Sequence, residues 1–342
     1  MNHNEWPIGQ ERHADSASTD MDLDKLSGLG AVVTSEYSNM NGLVMVRNGS
    51  IAHESYYNGY GPEDKHHVAS VTKSVVSALI GIAIDRGDIP DEHVNVLDFF
   101  PEYDFDRADK DGQRGRITIR HLLTMTAPYP FPDWQEPLDK MCMQSDWVKY
   151  ALDMLGQNGT IGAFKYATAG AHLLSAILTR STGKSAREYA NEYVFRKIGI
   201  SEIPDYGMTA FGFEELFGSE VRGWVHDPGH YSTGGWGLTL TPREMARFGE
   251  LYLNRGKWNH AGVISESWIE KSTAMNPNQY GYLWWLREEE GIRTFSAIGD
   301  GGNMICCLPD ENLVIAIASS FMVNPSDRWP LIKQHIIPAI RG

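Results

Sequence analysis

Ser70-Val71-Thr72-Lys73, leading into the apolar run Val75-Val76-Ser77-Ala78-Leu79-Ile80-Gly81-Ile82-Ala83-Ile84, sets a serine and a lysine one turn apart at the start of a buried helix. Residues three apart share a helical face, so the Lys73 amine can reach the Ser70 hydroxyl. Unpaired amides in the first turn would favour an oxyanion nearby. The bland alternative is an N-cap serine beside a surface lysine. A second copy of the spacing, Ser181-Thr182-Gly183-Lys184, reads differently. Gly183 stands where the periodic run Ala171 to Thr182 stops, so this serine and lysine do not share a face.

The segments on either side of the Ser70 run describe a sheet. Leu43-Val44-Met45-Val46 and Ile51-Ala52-His53-Glu54-Ser55-Tyr56-Tyr57 flank Asn48-Gly49, a strong hairpin signal. Near the other end, Tyr282 to Leu286, Arg293 to Ile298, Met304 to Leu308 and Leu313 to Ala318 read as strands, followed by a closing helix from Asp327 to Ile340. Ser185-Ala186-Arg187-Glu188 and Thr241-Pro242-Arg243-Glu244 are capping boxes that each start a helix. The expected fold is α/β of the α+β type: strands from about 40–60 and 280–320 in one antiparallel sheet, covered by helices, with a mainly helical region of about 85–230 inserted. Residues 1–20 are polar and aperiodic and read as a mobile arm, leaving 21–342 as the folded domain.

Composition narrows the function classes. The 342 residues are 42% hydrophobic, enough for a substantial core. A net charge of -14 argues against nucleic acid or an anionic membrane surface as a partner. Cys142 stands alone and Cys306-Cys307 are adjacent, so neither a disulfide framework nor a Cys-x-x-Cys metal site is written here. No stretch is long enough to span a bilayer, and Met1 to Trp6 has no signal-peptide character; a cytoplasmic protein is the expectation. The glycine-rich segments match neither a phosphate loop nor a dinucleotide fingerprint, so no cofactor is expected, and His66-His67 lack a third metal ligand and read as solvated loop residues. Oligomeric state is left open.

Three ordered motifs carry a resemblance. Ser70-Val71-Thr72-Lys73, Tyr166-Ala167-Thr168 and Ile298-Gly299-Asp300-Gly301-Gly302-Asn303, supported by Ile117 to Thr126 and Ser232-Thr233-Gly234-Gly235-Trp236-Gly237-Leu238, resemble the class C β-lactamase-like serine hydrolases. That superfamily includes penicillin-binding D,D-peptidases, family VIII esterases and 6-aminohexanoate-dimer hydrolases. The resemblance covers roughly residues 40 to 320. It implies that Ser70 attacks a carbonyl, that Lys73 and Tyr166 move its proton, and that water then cleaves an acyl-enzyme. A serine hydroxyl is a poor nucleophile until a base accepts its proton, and Lys73 can serve only when unprotonated. Thr168 replaces the family's usual Asn or Ser; its hydroxyl can reach Lys73 but lacks an amide's simultaneous donor and acceptor.

The third motif departs furthest. Where penicillin-recognising relatives have Lys-Thr-Gly or His-x-Gly, this chain has Asp300-Gly301-Gly302. The glycines suit close backbone approach at an oxyanion hole. An ionised Asp300 would repel the carboxylate of a β-lactam or cell-wall peptide, unless it is only a turn residue facing solvent. Trp236, alone among glycines, is a candidate for the cleft wall, with simple packing as its alternative. Trp284-Trp285 alternate across a strand, which sends at least one into the core. The expected activity is therefore hydrolysis of a small ester or amide, with β-lactamase or D-amino-acid peptidase, or a silent sensor of the same fold, as rivals.

Overall fold

Asn48 and Gly49 both take left-handed backbone angles (φ 53° and 73°), as a two-residue hairpin turn demands, and fold Met40–Arg47 back on Ser50–Tyr56 with Arg47 opposite Ser50. This computed structural model describes residues 19–103, 112–208, 218 and 220–341. Most of the expected arm lies outside the described residues. Of its last two positions, Thr19 is buried and Asp20 is exposed, with its carbonyl accepting from Arg47 Nη1 at 2.5 Å and from the Arg341 amide at 2.8 Å.

The hairpin forms one side of a six-stranded antiparallel sheet. Its order is Ser50–Tyr56, Met40–Arg47, Leu313–Ser319, Asn303–Leu308, Ile292–Gly299 and Trp285–Glu289. Both faces are covered, which is why Met40–Arg47 and Leu313–Ser319 are buried at every position. Alternate residues feed two cores. Val44, Val46, Ile305, Cys307, Val314 and Ala316 join the large core shared with the central helices. Leu43, Met45, Cys306, Ile315 and Ile317 join a smaller one under Leu29–Glu36 and the C-terminal helical segment. Cys306 and Cys307 thus point to opposite sides of one strand, and all three cysteines are free and buried.

The first of the four expected C-terminal strands is shifted. Leu283 has a left-handed φ of 60°, so the chain turns there and the strand runs Trp285–Glu289 instead of Tyr282 to Leu286. The closing helix is also broken into a short α segment, Trp329–Leu331, a π turn, Ile332–Ile336, and a 3-10 turn, Ile337–Ala339. Pro338 has no N–H to continue the ladder.

Three helices carry the large core: Val71–Asp85, Thr168–Thr182 and Pro242–Leu253. Both expected capping boxes are present, Ser185 with Glu188 and Thr241 with Glu244, the second with Pro242 in the first turn; each such cap is worth about 1 kcal/mol. Gly183 (φ 70°) ends Thr168–Thr182 in a left-handed C-cap, which turns Lys184 away to pair with Glu192. Glu250, on Pro242–Leu253, is buried with Oε1 lacking a hydrogen-bond partner, and burial pushes its carboxyl up to about 8. Contrary to the solvated-loop expectation, His66 is buried, and His66–His67 pair with Thr239–Leu240 as a two-stranded ribbon. Burial pushes both imidazoles down to about 4. The ribbon needs these backbones inside, and the side chains follow.

Candidate active site

Ser70 sits at the N-terminus of Val71–Asp85, preceded by Ala69 in a left-handed conformation (φ 48°). For a residue with a Cβ this costs roughly 1–2 kcal/mol, a cost that clusters at functional sites. Helical geometry delivers the expected contact: Lys73 Nζ lies 2.9 Å from Ser70 Oγ. Lys73 is almost wholly buried, and its Nζ also donates to the Gly235 carbonyl at 2.8 Å. It also stands 5.0 Å from the centre of the Tyr166 ring. Lys73 thus stands between Ser70, three residues before it, and Tyr166, more than ninety residues after it.

Gly235 shows how tightly that point is built. A Cβ there would fall 2.3 Å from Thr168 Cγ2 and 3.3 Å from Lys73 Nζ. Thr168, the first residue of its helix, is held by a carboxylate that sequence reasoning did not single out. Glu136 accepts from the Thr168 amide at 2.5 Å and the Ala169 amide at 2.6 Å. The second acceptor for Lys73 is not the Thr168 hydroxyl but a backbone carbonyl, that of Gly235. An acid at a helix N-terminus satisfies otherwise orphaned amides and the helix dipole. Burial pushes the Glu136 carboxyl up, and the two amides and Lys73 pull it back.

At the far wall, the end of strand Ile292–Gly299 runs against Ser70. A Cβ on Gly299 would sit 2.3 Å from the Val68 carbonyl and 3.0 Å from the Ser70 amide, so the close backbone approach belongs to Gly299. Gly301 and Gly302, the expected pair, leave the strand in a tight turn with φ 80° and 86°. Gly301 is buried against Ser320. Gly302 lines the cavity, and a Cβ on it would lie 2.6 Å from the Arg328 guanidinium.

These residues enclose a cavity of about 370 Å³ whose wall includes Ser70, Glu136, Tyr166, Thr168, Gly235 and Gly299. Asp300 lines it and is exposed, its carbonyl accepting from Asn303 Nδ2 at 2.8 Å. Trp236 lines it too, yet is only 4% exposed and packs 6.0 Å from Trp147, so it is both wall and core. Trp284 is fully buried, while its neighbour Trp285 joins the cavity. Among the described residues, Arg328 is the wall's one guanidinium. Its donors are spent on the Gly301, Gly302 and Ser326 carbonyls and on Asn39 and Ser319. Among the described residues, no three His, Cys, Asp or Glu side chains converge to hold a metal ion, and no helix is long and apolar enough to cross a membrane.

Comparison with known proteins agrees with this architecture. The family model described as Beta-lactamase matches residues 34–334. A 6-aminohexanoate-dimer hydrolase of Paenarthrobacter ureafaciens is 22% identical over 320 residues, spanning 86% of this chain and 76% of that protein. Among solved structures, EstCE1, described as a hydrolase with promiscuous acyltransferase activity, superposes with a TM-score of 0.70 at 19% identity, covering 96% of this chain and 100% of that one. The octameric penicillin-binding protein homologue from Pyrococcus abyssi gives 0.69 at 19% identity, covering 93% of this chain and 78% of that one.

Proposed function

Since the chain belongs to the beta-lactamase family of serine hydrolases, we propose that it cleaves a small neutral or cationic ester or amide through an acyl-enzyme on Ser70. The observation that carries this reading is the 2.9 Å contact between Lys73 Nζ and Ser70 Oγ at a cavity wall, with Tyr166 beside it.

The chemistry follows from the donors and acceptors in place. An unprotonated Lys73 amine can donate to the Gly235 carbonyl and still offer its lone pair to the Ser70 hydroxyl. Ser70 Oγ attacks the substrate carbonyl as its proton passes to Lys73. The resulting oxyanion is held by the Ser70 amide and an amide at the end of strand Ile292–Gly299. Lys73 and Tyr166 return the proton to the leaving group, the carbon–heteroatom bond breaks, and the acyl-enzyme remains. Water, deprotonated through the same pair, attacks the ester and frees Ser70. The reaction takes place in the cytoplasm on a small molecule, without a cofactor.

The wall's charges bear on the substrate. Glu136, Asp300 and Asp327 all border the cavity, whereas the Arg328 guanidinium is committed to backbone carbonyls. Among the described residues that line the cavity, a substrate carboxylate finds no free cation, which weighs against β-lactams and peptide C-termini. Labelling with a fluorophosphonate tests the proposal directly. Wild-type protein should be labelled and should hydrolyse p-nitrophenyl butyrate; Ser70→Ala should lose both by several orders of magnitude, and Ser181→Ala should stay within about twofold. More than a tenth of wild-type turnover in Ser70→Ala would refute the assignment, and an unlabelled wild type would favour a silent sensor.

A further inference from the structure

Trp134 is 70% exposed and holds a left-handed backbone angle (φ 62°), an unusual place for the largest apolar side chain. It is nevertheless pinned on both sides. Asp133 pairs with Lys165 at 2.6 Å, and Glu136 clamps the Thr168 and Ala169 amides. Both ties land on the segment that carries Tyr166. The short strap between them presses the Trp134 ring parallel to Tyr166 (centroids 5.2 Å apart, 26° between planes) and to Trp285 (6.1 Å, 18°). Tyr166 and Trp285 are themselves near-parallel, at 5.7 Å and 22°. Tyr280 meets Trp285 edge-on at 4.7 Å and 88°, which fixes the orientation of that ring from behind.

Three rings in nearly parallel planes, Trp134, Tyr166 and Trp285, line the same cavity as Ser70, and the exposure of Trp134 leaves part of its surface open. Hydrophobic burial alone does not require this: aliphatic side chains would line such a wall equally well. Parallel faces add an offset-stacking contribution that only a planar group can collect. We propose that Trp134 and Trp285 form an aromatic shelf that selects substrates carrying a planar ring, and that Trp134 is its specificity-determining member. The proposal rests on reading the Ser70 cavity as the substrate site and names the class of substrate it takes.

A pair of ligands of similar size isolates the stacking contribution. The full chain with Ser70→Ala is titrated with 3-phenylpropanamide and with 3-cyclohexylpropanamide, following binding by intrinsic fluorescence or by NMR. The flat ring should bind more tightly by about threefold to tenfold. Adding Trp134→Leu, which keeps apolar bulk but removes the face, should bring the two affinities within about twofold, while Trp134→Phe should retain most of the preference. Equal affinities in the Ser70→Ala protein, a preference untouched by Trp134→Leu, or no binding of either amide overturns the shelf. No bond is cleaved in this measurement. A retained ring preference in a protein whose wild type hydrolyses nothing would refute the hydrolase reading and leave the shelf standing.

Discussion

Gly235→Ala puts the smallest possible perturbation next to the proposed base. The added methyl would stand 2.3 Å from Thr168 Cγ2. Relaxed carbon–carbon contact begins near 3.5 Å, so about 1.2 Å of separation has to be found. Thr168 cannot supply it, because Glu136 holds its amide at 2.5 Å and it opens a buried helix. The Ser232–Gly237 loop must lift, and the Gly235 carbonyl leaves its 2.8 Å contact with Lys73. Overpacking of this kind costs about 1–3 kcal/mol of stability, which a domain of this size survives. Catalysis is less tolerant: a misplacement of about 1 Å at a reacting group costs on the order of 100-fold in rate. The assay is kcat and KM on p-nitrophenyl butyrate well below the thermal midpoint, beside a melting curve. The expected result is a drop in kcat of about 100-fold with KM changed far less. A folded variant with kcat within threefold of wild type would refute the view that the loop holds Lys73 in register.

Other consequences of the site can be checked together. Lys73→Ala and Tyr166→Phe should each cut kcat by orders of magnitude, and the double variant should be little worse than either alone, because both groups move one proton; additive losses would show that they act separately. Asp300→Asn should improve kcat/KM for an anionic substrate such as nitrocefin by about twofold to fivefold, a modest figure because Asp300 is exposed, and leave a neutral ester unchanged. Equal effects on both substrates would return Asp300 to the role of a turn residue. For Glu250, burial sets the folded value at about 8, above the 4.5 of a free carboxyl, so its contribution to stability is full below pH 4.5 and is lost as pH rises through 8. Glu250→Gln should therefore gain on wild type in thermal midpoint between pH 5.5 and 8.5, with the gap worth a few kcal/mol; parallel curves would show that Glu250 does not titrate in this range.

What could be read from sequence was local or motif-like. Asn48-Gly49 announces its turn because few residue pairs tolerate two left-handed positions, and Thr241-Pro242-Arg243-Glu244 announces its helix because each residue has one favoured place in the first turn. The Ser70–Lys73 contact follows from helical spacing alone. Glu136 was invisible for the opposite reason. Phe131 to Pro137 has no periodicity, and the role of its acid exists only because the N-terminus of Thr168–Thr182 arrives from 32 residues away. The Thr118–His121 cap escaped notice because histidine takes the place usually filled by Glu or Gln. Gly299 was quoted within its motif but passed over for Gly301 and Gly302, since spacing shows that a backbone approaches something and leaves open which glycine does so.

The sheet is joined in the middle by strands from opposite ends of the fold, Met40–Arg47 against Leu313–Ser319. Closing that seam brings together segments separated by about 270 residues, the kind of long-range pairing that makes folding slow. Gly299, which seals the wall beside Ser70, lies on a strand that can join the sheet only late in synthesis. A growing chain therefore carries its serine and lysine long before it has a cavity around them. The cavity wall beside Ser70 is complete only when these last strands dock, so a product truncated before Gly299 lacks that wall.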